Sequence, residues 1–251
     1  MSLYLYQDRN TFFHRLDPRT KFLGLIVLFA GLLSFNTWLP EVFILGVLAL
    51  FITGAGAWPT VARLKFILFM LALMAIIIWS FMGGGTEVIF WRFTVEGLLF
   101  GIATALKLIN MVLTGALFLA TTRNEEMMAG LLKLGLPFAA GFAISTALRL
   151  VPTLVGSGLT IIEAQRSRGL DLSQGNFITR LRKQIPLLIP VVATAIRSTH
   201  HLAMAVEAKG FGYSPKRTQY LVLRFTWRDG LALLFFVLFL GGVLAWHRYF
   251  S

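Results

Sequence analysis

Few residues in this chain have the types and spacing that chemistry requires, and most of those resolve into simpler roles. Glu125-Glu126 is a paired carboxylate, but it follows Thr121-Thr122-Arg123-Asn124. Acids at that place favour a helix N-terminus, where the backbone dipole is positive. Gly156-Ser157-Gly158 lacks the spaced glycines of a nucleophile elbow. Gly83-Gly84-Gly85-Thr86 lacks the lysine of a phosphate loop. His200 and His201 are adjacent, so on a helix they point about 100° apart and do not share a metal with Glu207 without help. No metal site, catalytic group or ATP-binding motif is therefore assigned. Two repeated punctuation marks remain. One is Glu163-Ala164-Gln165-Arg166-Ser167-Arg168-Gly169, and the other is Glu207-Ala208-Lys209-Gly210-Phe211-Gly212. Each closes a helix-like stretch with a small residue, a cation and a glycine. Glycine supplies the left-handed cap of a helix, and the cation sits favourably at its negative end. Capping alone explains either motif. Two of them, each ending a long amphipathic stretch, suggest a pair of grips. Arg168 offers a planar five-donor fork, whereas Lys209 offers a point charge.

The elements that position these grips belong to a membrane protein. The chain has 251 residues, 57% hydrophobic and 14% charged, with a mean hydropathy of +0.77. Soluble domains carry about 25% charged residues, so lipid is the expected solvent for much of this chain. The net charge of +12 would suggest nucleic acid in a soluble protein. Here the cations flank apolar spans, which points to the membrane surface and to no nucleic-acid partner. There is no cysteine, which excludes disulfides and thiolate ligands.

Five spans are expected, at Phe22–Leu39, Pro40–Ala57, Phe66–Met82, Val95–Ala120 and Gly230–Trp246. Trp38, Trp58, Trp79, Trp91, Trp227 and Trp246 fall near their ends, as an aromatic belt requires. Arg9, Arg15, Arg19 and Lys21 precede the first span, Arg63 and Lys65 lie in the second loop, Arg92 alone marks the third, and fourteen cations lie between Arg123 and Arg228. This alternation puts the N-terminus and the long insert in the cytoplasm, and the C-terminus outside. The expected organisation is a four-span membrane domain over 1–121, a cytoplasmic domain over 122–227 and a last span over 228–251.

The insert reads as two long amphipathic helices. Arg149, Thr153, Ser157, Thr160 and Glu163 recur on one face, while Leu148, Val151, Val155, Leu159 and Ile162 line another. Leu181, Ile185, Leu188, Val192, Ala195, Leu202 and Val206 follow a seven-residue repeat, as a packing seam does. Pro186 and Pro190 are expected to kink or restart that helix. An alternative makes Phe138–Ile162 and Leu187–Val206 two further spans, giving a self-sufficient secondary transporter with seven. A membrane-embedded enzyme using Glu125, Glu126 and the histidines is a more distant alternative. Lys107 and Asn110 sit mid-span, where a polar residue is by default a functional candidate.

The order of several short stretches resembles the transmembrane T component (EcfT/CbiQ-like) of energy-coupling-factor transporters. They are His14-Arg15-Leu16-Asp17-Pro18-Arg19-Thr20-Lys21, then Thr121-Thr122 with Glu125-Glu126, then Ala147-Leu148-Arg149-Leu150-Val151-Pro152, and the two Ala-Arg-Gly-type endings themselves. The resemblance implies an all-α membrane protein with about five transmembrane helices and long cytoplasmic coupling helices. It implies a subunit in a prokaryotic plasma membrane with no catalysis and no cofactor of its own. Two cytoplasmic ABC ATPases would use ATP and Mg, and a separate membrane subunit would bind a vitamin or metal ion. Ser167, Arg168 and Gly169 would then dock one ATPase, and Ala208, Lys209 and Gly210 the other. Ala164, Gln165, Arg166, Arg149, Pro152 and Glu207 would support them. The family usually has alanine where Ser167 stands and arginine where Lys209 stands.

Overall fold

The structure, a computed structural model, describes residues 11–35, 37–82, 88–90, 93–170, 176–213 and 225–250. The glycine run at 83–86, Trp91, Arg92 and Arg9 lie outside them. The described chain is all-α apart from one small hairpin. Its helices are α1 (Pro18–Ser34), α2 (Trp38–Ala55), α3 (Trp58–Met82), α4 (Val95–Thr121), α5 (Asn124–Lys133), α6 (Phe138–Ser167), α7 (Phe177–Ala208) and α8 (Trp227–Phe250). Between α3 and α4, β1 (Val88–Phe90) pairs antiparallel with β2 (Phe93–Thr94).

The helix ends follow local chemistry. Asp17 caps α1 by accepting from the Arg19 amide at 3.0 Å, and Pro18 takes the first helical position, where its missing N–H is not needed. Thr94 caps α4 by accepting from the Gly97 amide. Gly56 adopts φ 68° and stops α2, so α3 begins at Trp58 and Pro59 falls in its first turn. The expected boundaries shift accordingly. The second helix starts at Trp38 and not Pro40, the third starts eight residues before Phe66, and the first ends at Ser34 because Phe35 is extended.

Five helices are long and apolar enough to cross a membrane: α2, α3, α4, α6 and the Trp227–Trp246 part of α8. At 17 residues α1 is shorter than these. α6, with 30 residues, meets the length and apolarity of a span although its sequence pattern is amphipathic.

The chain forms two compact units, 1–136 with 223–251, and 137–222. In the first unit Leu32, Ile44, Leu48, Ile52, Leu113 and Val243 make a core shared by α1, α2, α4 and α8. Small residues let the backbones approach, as is usual between membrane helices. A Cβ on Gly101 of α4 would lie 3.1 Å from the Ile76 Cα of α3. Gly24 and Gly31, two turns apart on α1, face the rings of Phe236 and Phe239 on α8. The outer side of α3 presents Phe66, Phe69, Met70, Leu73 and Ile77, a face suited to acyl chains. In the second unit α6 and α7 pack on each other. The helix α7 runs unbroken through Pro186 and Pro190, correcting the expected restart. The seven-residue seam is also only partly closed. Ala195, Leu202 and Val206 are half-buried, but Ile185, Leu188 and Val192 are exposed.

Candidate functional site

Helix α6 ends with Arg168 at φ −86° and ψ 9°, and Gly169 follows at φ 87°. The Leu170 amide reaches back to the Gln165 carbonyl at 3.0 Å, and the Gly169 amide to that of Arg166 at 2.9 Å. Helix α7 ends in the same way. Lys209 has φ −83° and ψ 4°, Gly210 has φ 71°, the Phe211 amide bonds the Val206 carbonyl at 3.1 Å, and the Gly210 amide bonds that of Glu207 at 2.8 Å. The left-handed glycine is required in both, since a side chain there costs about 1–2 kcal/mol. A Cβ on either glycine would meet nothing within 4 Å, so the glycines are needed for their backbone conformation and not for space. Ser167, Arg168, Gly169, Ala208, Lys209 and Gly210 are all exposed.

The two ends are far apart within their unit. Phe211, two residues past Lys209, stacks on Phe142 at 4.3 Å and on Phe138 at 5.8 Å, at the start of α6. So α7 returns antiparallel along α6. From Phe142 to Arg168 the helix rises roughly 40 Å. The supporting residues line the outside of this pair. Ala164, Arg166 and Glu207 are exposed, as are Arg149 and Pro152, while Gln165 is half-buried. The Ser167 hydroxyl donates to the Glu163 carbonyl at 3.1 Å. Val151, Val155 and Leu159 of the apolar face are 46%, 44% and 57% exposed, leaving an apolar stripe between the two cations.

The other candidates separate into roles. Glu125 and Glu126 lie in the first turn of α5, and a Glu126 oxygen accepts from the Arg123 amide at 3.5 Å. The His200 and His201 ring centres are 6.5 Å apart. Asn110 is fully buried, and its amide nitrogen donates to both the backbone oxygen and the carboxylate of Glu41, each at 2.9 Å. Lys107, one turn away on α4, is half-buried and lies within electrostatic reach of Glu41. The chain brings an acid from the start of α2 to these two mid-span residues, a partner that sequence spacing does not reveal.

A further polar knot was not foreseen. Asp229 is fully buried and accepts from the Asp17 amide at 2.7 Å and from the Thr226 amide and hydroxyl at 2.8 and 2.7 Å. Lys21 donates to the Thr121 carbonyl at 2.7 Å and to that of His14 at 3.4 Å, with Glu126, Asp229 and Asp17 as its neighbouring charges. Thr226-x-x-Asp229 is a capping-box pattern, and that signal was present in the sequence. The knot unites the stretches around Asp17 and Thr121 at one end of the membrane unit.

A model of the CbiQ family, described as cobalt transport protein, matches residues 9–220. The chain belongs to the CbiQ/EcfT family. Relatives named energy-coupling factor transporter transmembrane protein EcfT match nearly end to end. The one from Brevibacillus brevis is 33% identical over 97% of this chain and 96% of its own. Those from Staphylococcus aureus and Ruminiclostridium cellulolyticum are 33% and 32% identical, covering 91% and 95% of this chain and 90% and 94% of theirs. The CbiQ/EcfT match takes in both Arg168 and Lys209 with the helices that carry them.

Proposed function

We propose that this chain is the transmembrane coupling subunit of an energy-coupling-factor importer. It passes ATP-driven motion of two cytoplasmic ABC ATPases to a separate substrate-binding membrane subunit that takes up a vitamin or transition-metal ion. The chain itself is non-catalytic, and ATP and Mg are handled by the partner ATPases. The carrying observation is the pair of matching helix ends. Each offers an exposed cation just before a left-handed glycine, roughly 40 Å from the other, a layout suited to holding two separate motors. Arg168 docks one ATPase through its fork and Lys209 docks the other as a point charge. The exposed stripe at Val151, Val155 and Leu159 suits an apolar membrane partner. Both cationic ends and the N-terminus face the cytoplasm in this reading.

The test is co-purification of both ATPases with the chain. Arg168→Glu places like charge in a groove that receives a cation, at a cost of about 2–5 kcal/mol, so one ATPase is lost from the complex. Retention of both at normal stoichiometry counts against docking. The length and apolarity of α6 favour a second reading, a self-sufficient transporter in which α6 crosses the bilayer. Single cysteines at Ser167 and Ala208, placed in a chain that has none, separate the two. Coupling requires both to be labelled from the cytoplasmic side, and labelling of either from the outside overturns it.

A further inference from the structure

A cavity of about 270 Å³ lies in the membrane unit between the turn before α1 and helices α1, α2, α4 and α8. Leu25, Leu28, Leu117 and Phe235 form its apolar wall, while Thr20, Lys21 and Thr121 mark one end. Its lining includes Phe12 and Leu231, which are 40% and 49% exposed, so it reaches the surface and is not a sealed core. The polar end coincides with a run of cations. Arg15 is exposed one residue before the lining Leu16, and Arg228 precedes the lining Leu231 by three residues, packed 5.8 Å from the Trp227 ring. Three acids lie near Lys21 at this end: Asp229 accepts three hydrogen bonds, Asp17 caps α1, and Glu126 accepts from the Arg123 amide. A groove that is oily along its length, open sideways and cationic at the level of the helix ends matches one molecule of the bilayer.

We propose that this cavity holds an acyl chain of one anionic phospholipid, with its phosphate held at Arg15 and Arg228. The volume suits part of one chain, so the lipid is anchored by its tail and selected by its head. Basic residues near a membrane surface favour anionic headgroups by about fivefold per charge. Ala232, on the cavity wall, offers a way to fill it.

Native mass spectrometry of the full chain, purified in mild detergent from its membrane, provides the test. One phospholipid is expected to remain bound, with phosphatidylglycerol enriched over its share of the membrane. Ala232→Phe should lower occupancy about tenfold, and Ala232→Ser should retain it. Arg15→Gln with Arg228→Gln should keep a lipid but lose the anionic preference. Equal occupancy in Ala232→Phe, or zwitterionic lipid retained in membrane proportion by the unaltered chain, overturns the proposal. Should Ala232→Phe not fold, the unaltered chain is melted in phosphatidylcholine vesicles with and without phosphatidylglycerol. A stabilisation that disappears in the double glutamine variant supports the site, and no phosphatidylglycerol-dependent shift overturns it.

Discussion

Arg168 and Lys209 occupy the same position in two copies of one backbone turn. Their φ and ψ angles agree within a few degrees, each is followed by a glycine at positive φ, and the amide two residues on closes each turn with a hydrogen bond of 3.0 to 3.1 Å. What differs is the side chain, a fork in one and a point charge in the other. The backbone presents two equivalent sockets, and the asymmetry between them is chemical.

The glycines set the direction in which each cation leaves its helix. Gly169→Ala places a Cβ in the left-handed region at about 1–2 kcal/mol, without any clash, since nothing lies within 4 Å. The expected result is a weaker hold on one ATPase with little change in the melting of the membrane unit. Asparagine tolerates this conformation, so Gly169→Asn should retain the hold. Equal ATPase retention by the alanine and asparagine variants would show that the turn geometry does not matter.

The contact between α1 and α8 depends on two missing side chains. Gly24→Ala drives a methyl into the Phe236 ring, and Gly31→Ala does the same to Phe239. Overpacking of this kind costs about 1–3 kcal/mol. Thermal unfolding in detergent should fall for either variant. Pairing Gly24→Ala with Phe236→Ala should recover part of the loss, because the added methyl then has room.

Asp229 accepts from three donors, and one of them, the Asp17 amide, is buried and would otherwise lack an acceptor. Asp229→Asn keeps the shape but turns an amide group toward those donors. A loss of about 1.5–3 kcal/mol follows, the worth of hydrogen bonds to a charged group. Differential scanning fluorimetry should detect it, and Asp229→Glu should not restore full stability in so tight a site.

Asn110→Leu strips the Glu41 carboxylate of its donor inside the membrane unit. An unsatisfied buried group costs about 1–3 kcal/mol, so folded yield should drop. Lys107→Met removes the cation near Glu41 instead. Transport by the assembled complex is expected to fall while membrane insertion is unchanged. Normal uptake would remove Lys107 from the working residues.

Apolar runs in the sequence place the helices, because lipid imposes length and burial on each span separately. The caps at Gly169 and Gly210 are equally legible, since a helix that stops on glycine needs nothing remote. The stop at Gly56 is as local, since a glycine at positive φ ends α2 without any remote contact. Pairings across the chain are not legible. Glu41 meets Asn110 sixty-nine positions away, and Asp17 meets Asp229 across 212, distances that no periodicity encodes. The seam in α7 shows the opposite failure. Its heptad pattern is real, but Ile185, Leu188 and Val192 stay exposed while Ala195, Leu202 and Val206 are half-buried. The charge step at 121/122 and the packing boundary at Leu136/Pro137 differ for a related reason. α5 is polar in sequence, yet Gly130 lets it lie against Pro18 of α1, where a Cβ would be 3.1 Å from the proline ring.

The bond from Asp17 to Asp229 joins the beginning of the first helix to the beginning of the last. It closes the membrane unit on itself, so residues 137–222 enter and leave as an insertion. The Asp17–Asp229 bond, the glycines that face Phe236 and Phe239 and the core around Leu48 all lie outside that insertion, so a change confined to it touches none of them directly. The two units are then free to diverge at separate rates, each answering to its own neighbours.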